Sequence, residues 1–70
     1  MYGKVMAFLA ALQLADNHQG EVYISLATTK AMVTFVPKLT EEQIQSVPVE
    51  MRSYTTLIED GDQSIVTIQG

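Results

Sequence analysis

The 70-residue sequence has no cysteine, a single histidine and only four basic residues. Each shortage excludes something. Without cysteine there are no disulfides and no thiolate metal sites. His18 alone cannot build a structural zinc site. A domain this short sits near the lower end of independent folding. With disulfides and zinc gone, oligomerisation or a dense core must hold it. The basic residues Lys4, Lys30, Lys38 and Arg52 are scattered and face eight acidic ones, giving a net charge of −4. Nucleic-acid binding needs a basic footprint to neutralise phosphates, and none is visible. The acidic residues form no long run, so a DNA mimic is not expected either. A protein or small-molecule partner fits the charge better. The lack of cysteine is compatible with a reducing cytoplasm, which is the expected location.

Signatures of chemistry are also missing. No serine lies in a Gly-x-Ser-x-Gly elbow. Asp16 and His18 share one polar loop, but no nucleophile accompanies them as an acid/base pair would require. Glu59, Asp60 and Asp62 cluster around a glycine, yet their spacing does not match the alternating oxygen ligands of an EF-hand loop. The expectation is therefore a protein that is not an enzyme and has no cofactor or metal.

What is present is a chain with ordinary apolar content, 47%, and clear punctuation. It reads as a single small domain over residues 1–70. Tyr2 to about Ala15 is helical in pattern. Val5, Phe8, Leu9 and Leu12 fall at i, i+3, i+4 and i+7 on one face. Ala7, Ala10, Ala11 and Ala15 add helix propensity. Met6 and Leu14 lie off that stripe, which implies burial on more than one side. Val5 to Leu14 follows Lys4 and could be the core of a secretory leader, but it is too short to span a bilayer. Cleavage after Ala15 would also put Gln13 where a small residue is needed. No membrane partner is expected.

Asp16 to Gly20 is a break, its polar side chains competing for backbone hydrogen bonds. Glu21 to Ala27 alternates as a half-buried strand, with Val22, Ile24 and Leu26 on one side. Thr28-Thr29-Lys30 is the turn. Ala31 to Val36 is a second strand, stopped by Pro37. Thr40 then caps a short helix of about Glu41 to Ser46, with Gln43 completing a capping box and Leu39 and Ile44 a hydrophobic staple. Glu41 and Glu42 suit the first turn of that helix. Pro48 ends it. A third strand is expected to start near Val49 or Glu50 and run to Glu59.

The C-terminal hairpin turns at Asp60-Gly61-Asp62. A two-residue Gly61-Asp62 loop has glycine first, as a type II′ turn wants. It sets Ile58 opposite Ile65, Leu57 opposite Val66 and Thr56 opposite Thr67, the register with the better cross-strand pairs. Leu57 beside Ile58, and Ile65 beside Val66, place apolar groups on both faces of this hairpin. The fold class expected is α+β: a four-stranded, mainly antiparallel sheet with an N-terminal helix and one short helix, in the order α-β-β-α-β-β. If residues 2–15 formed a strand instead, the fold would be mostly β.

Two-faced apolar hairpins in so short a chain point to a second copy. The functional expectation is a small protein-interaction module acting as a homo-oligomer, most simply a dimer, and serving as a regulator or inhibitor of another protein. The expected interface residues are Leu57, Val66, Ile68, Met32 and Val36, and Val66→Asp is then expected to break the dimer and spare the fold. The alternative is a small-molecule-binding or sequestering protein with its pocket between subunits. Its polar groups would be Tyr23, Tyr54, Arg52, Thr28, Thr29 and Lys30. A third reading, single-stranded nucleic-acid binding through Tyr23, Tyr54 and Arg52, has little charge to support it.

Overall fold

A computed structural model describes residues 2–69. Helix α1 spans Tyr2–Asn17, and strands β1 (Glu21–Leu26) and β2 (Lys30–Val36) follow it. Helix α2 (Glu41–Gln45) leads through a 3-10 helix, Val49–Tyr54, into β3 (Thr55–Asp60) and β4 (Gln63–Gln69). The class is α+β. All strand pairs are antiparallel, in the order β1-β2-β4-β3. The first segment is helical, which removes the mostly-β alternative.

The sheet is central to everything else. Because side chains alternate across a strand, one face carries Val22, Ile24, Leu26, Ala31, Val33, Phe35, Ser64, Val66, Ile68, Thr55 and Leu57. Helix α1 packs on that face, chiefly over β4 and β2. The buried core is Val33, Phe35, Leu39, Val66 and Ile68 together with Ala7 and Ala11 of the helix. The other face carries Tyr23, Met32, Thr34, Val36, Ile58, Ile65 and Thr67, and none of these belongs to the buried hydrophobic core or packs against it among the described residues.

The helix presents a different side from the one its periodicity suggests. Val5 and Leu9, half of the expected apolar stripe, are about half exposed, at 51% and 46%. Ala7 and Ala11 face the sheet instead. The sheet fills the core volume with Phe35, Ile68 and Val33. Small helix side chains then allow close approach, whereas a row of large ones would hold the layers apart.

A second difference concerns the third strand, which starts at Thr55 and not near Val49. Pro48 heads the preceding segment, and the Met51 N–H donates to the Pro48 carbonyl at 3.0 Å, tightening the chain into a 3-10 turn. That turn brings Met51 against the core. The β3–β4 register is the one set by the Gly61-Asp62 loop: Ile58 opposite Ile65, Leu57 opposite Val66 and Thr56 opposite Thr67. Gly61 has φ +62° and no non-glycine residue has positive φ among those described, as a type II′ turn requires.

One polar contact anchors the connection between the hairpins. Ser64 is fully buried, and its Oγ accepts a hydrogen bond from the Leu39 N–H at 2.8 Å. Thr40 then caps α2: its Oγ1 accepts from the Gln43 N–H at 3.1 Å, and Gln43 Oε1 accepts from the Thr40 N–H at 2.9 Å. The expected capping box is thus present.

Two stability outcomes follow. Ser64→Ala leaves the buried Leu39 N–H without a partner and should cost about 1–3 kcal/mol in denaturant unfolding. Gly20 has φ +153°, and a Cβ there would run into the Val36 carbonyl oxygen. A Cβ at Gly61 would meet nothing within 4 Å. Gly20→Ala should therefore destabilise clearly more than Gly61→Ala, which carries only the positive-φ strain of about 1 kcal/mol.

Candidate interface and cleft

The residues expected at an interface divide between the two faces of the sheet. Met32 and Val36 lie on the uncovered face, both half-buried by their neighbours. Val66 and Ile68 lie beneath α1, at 9% and 1% exposure. They cannot form a contact surface while the helix is in place, and Val66→Asp would put a carboxylate in the core. The sequence shows that this hairpin is apolar on both faces, but not which face the helix takes. Leu57 is on the helix face at the β3 edge, 39% exposed.

The exposed apolar surface is elsewhere. Nine large hydrophobic side chains are exposed among the described residues, and five of them are Val5, Leu9, Tyr23, Ile24 and Leu26. Ile24 and Leu26 belong to the helix face of β1, an edge strand that α1 does not reach across. Tyr23 stands on its opposite face. Val5 flanks α1 on the β1 side, where it lines a trough of about 290 Å³ with Phe8, Leu26 and Ile68. Leu9, one helical turn further on, opens instead on the outer side of α1 with Leu12, Gln13 and Asp16. Lys4 also lines that trough; Lys30 borders it at the start of β2, where strand alternation directs its side chain to the other face of the sheet.

Edge strands of soluble proteins are usually blunted by charge, proline or a bulge. β3 carries Glu59 and Asp60. β1 reads Glu-Val-Tyr-Ile-Ser-Leu, with no charge beyond Glu21 and no proline. It pairs with β2 residue for residue, without a bulge. Glu21, as a hydrogen-bond partner and as a negative charge, raises the Tyr23 hydroxyl above the usual tyrosine value.

On the other side of α1 a second opening, about 270 Å³, runs between the helix, α2 and β3. Its walls are apolar, with Ala10, Leu14, Ile44 and Leu57 prominent. Arg52 is the one charged group that lines it, and Thr55 adds a hydroxyl. The six residues expected to hold a ligand therefore do not converge. Tyr23, Thr28, Thr29 and Lys30 sit on the β1–β2 hairpin. Arg52 and Tyr54 sit on the 3-10 helix that leads to the opposite sheet edge. The expected alignment of Arg52 and Tyr54 along a strand face is absent, because that stretch is not a strand. The Tyr54 ring instead lies against Gly3, where any Cβ would strike it.

The remaining polar candidates are simply placed. The His18 ring meets Phe35 edge-on, with centroids 5.3 Å apart, and its Nε2 is buried without a hydrogen-bond partner. It is packed against the core, not an open loop histidine, and Asp16 is exposed. Glu59, Asp60 and Asp62 are exposed around the hairpin tip. Among the described residues no group of three metal-capable side chains converges. No described helix is long and apolar enough to cross a membrane.

The Glu21–Tyr23 contact gives a pH signature. The folded hydroxyl titrates above its unfolded value, so the folded state loses stability as pH rises past about 10 and through the Tyr23 value. Glu21→Gln should bring the Tyr23 ring titration, followed by NMR, back down toward that of an ordinary tyrosine.

Set against known protein families, characterised proteins and solved structures, the chain matches none of them, and its own geometry is the ground for a functional reading.

Proposed function

We propose that this protein is a small, non-enzymatic interaction module that works as a homodimer. The observation that carries the reading is the exposure of Val5, Ile24 and Leu26 on the helix side of one undefended sheet edge, with Tyr23 exposed on the other face of the same strand. Exposed apolar groups scattered singly need no explanation, but a contiguous set beside an open edge marks an interaction site. A second copy is the simplest occupant, since two-fold dimers dominate among soluble oligomers. The module's use as a regulator or inhibitor of another protein rests on its small size and acidic surface. The sheet face bearing Met32 and Val36 stays open in such a dimer and is the surface left for that other partner.

Light scattering on a sizing column, over a wide concentration range, tests the dimer. Mass twice that of the chain is expected. Ile24→Asp and Leu26→Asp, both at exposed positions, should give folded monomers with an unchanged far-UV CD spectrum. Met32→Lys should leave the mass at two chains. A wild-type monomer at every concentration would sink the reading.

A second reading concerns the opening beside Arg52. An apolar cleft lined by one cation suits a medium-chain carboxylic acid, its tail against Leu14 and Ile44 and its carboxylate on Arg52. This places a pocket within one chain and not between subunits. Its volume, about 270 Å³, is just under the usual range for small-molecule sites. Saturating octanoate should then raise the melting temperature, and Arg52→Ala should abolish most of that shift. No shift with octanoate would count against the cleft and leave the dimer untouched.

A further inference from the structure

Resting on the homodimer reading, we infer that two copies join β1 to β1 antiparallel, with the two-fold axis at Ile24, into one eight-stranded sheet. The turn between β1 and β2 fixes which backbone groups are free. The Ala27 N–H donates to the Lys30 carbonyl at 2.9 Å, so Ala27 and Lys30 form a hydrogen-bonded pair. In an antiparallel ladder such pairs alternate with non-bonded ones. Ser25, Tyr23 and Glu21 therefore also turn their N–H and C=O groups toward Met32, Thr34 and Val36. Val22, Ile24 and Leu26 turn theirs to the open edge. These three are also the residues with apolar side chains on the helix face.

A symmetric ladder has few choices. A one-residue slip would set outward-facing backbone groups against inward-facing ones and is excluded. Registers centred on Val22 or Leu26 pair only one end of β1, so the three that engage most of the strand are centred on Tyr23, Ile24 or Ser25. Centring on Tyr23 places Leu26 opposite the second copy's Gly20 and Ser25 opposite its Glu21. Centring on Ser25 runs Val22 into the second copy's turn at Thr28. Centring on Ile24 sets Ile24 against itself and Val22 against Leu26 of the second copy, twice over. All three helix-face positions of β1 then pair with apolar groups, and the open-face positions pair Tyr23 with Ser25.

Charge agrees with this register. Glu21 falls opposite the second copy's Ala27, whose neighbour on the far side is Lys30. Alanine between them is too short to intervene, so Glu21 and Lys30 can meet over it at each end of the ladder. The two Glu21 side chains lie at opposite ends and do not repel. Beyond the ladder, the second copy adds apolar surface over Ile24 and Leu26, beside the trough that α1 leaves open.

The chain has no native cysteine, so single cysteines report the register cleanly. Hydrogen-bonded antiparallel pairs have Cα atoms about 5.5 Å apart, within disulfide reach, whereas positions one pair removed are about 7–8 Å apart and out of reach. Ile24→Cys, Tyr23→Cys and Ser25→Cys are each made at an exposed position and treated with diamide. With the axis at Ile24, only Ile24→Cys forms a covalent dimer quickly, and mixing Tyr23→Cys with Ser25→Cys gives a crosslink that neither gives alone. Amide exchange supplies a readout without substitution. Val22, Ile24 and Leu26 should be protected in the wild-type dimer and lose protection in the Ile24→Asp monomer, while Tyr23 and Ser25 stay protected in both. A dimer in which Tyr23→Cys or Ser25→Cys links to itself, or in which the Val22, Ile24 and Leu26 amides exchange freely, overturns this pairing and leaves the homodimer standing. A protein that is monomeric throughout overturns both.

Discussion

One helix has to cover a sheet wider than itself. A four-stranded sheet measures about 14 Å between its outer strands, while an α-helix with side chains is about 10 Å across. Helix α1 settles over the two central strands, β2 and β4, and this choice orders the rest of the molecule. Val33, Phe35, Val66 and Ile68 are buried because they lie under it. Ile24, Leu26 and Leu57 point to the same side and are exposed because they lie beyond it. Both flanks of the helix become openings in the core.

The chain treats those two flanks differently. Beside β3, the stretch from Leu39 to Tyr54 fills part of the gap with Leu39, Ile44, Val47 and Met51. The Leu39 N–H bond to Ser64 holds that stretch to the sheet, and the capping box at Thr40 turns it into α2. Beside β1 there is no such insertion, since only the three residues Ala27 to Thr29 separate β1 from β2. The asymmetry is the physical ground for placing a second chain at β1 and a small ligand near Arg52. In the proposed dimer, a partner strand would supply at one edge what the α2 stretch supplies at the other.

Much of the fold was legible in the sequence because it depends on local chemistry. Thr40 and Gln43 announce α2 through a hydrogen-bonding pattern contained in four residues. Gly61-Asp62 sets the β3–β4 register through turn geometry alone. The alternation of Glu21 to Ala27 marks β1. The site was much less legible. The periodicity of α1 suggested a buried stripe of Val5, Phe8, Leu9 and Leu12, yet the helix turns Ala7 and Ala11 to the sheet, since Phe35, Val33 and Ile68 already occupy the core volume. The stretch from Val49 to Tyr54 looked extended, yet the Met51 bond to Pro48 and the burial of Met51 wind it into a 3-10 helix. That winding separates Arg52 and Tyr54 from the face they were expected to share.

The sequence by itself determined α1, α2 and the four strands, their order, and the turn that sets the β3–β4 register. Only the tertiary structure decided which apolar side chains are covered and which are exposed. A strand shows an apolar side chain to each of its faces, and nothing local says which face a distant helix takes. From the sequence, Val66 and Ile68 looked available at an interface, and Ile24 and Leu26 looked like one side of a half-buried strand. The position of α1 across the sheet, set by packing volume and not by any motif, buried the first pair and left the second in water.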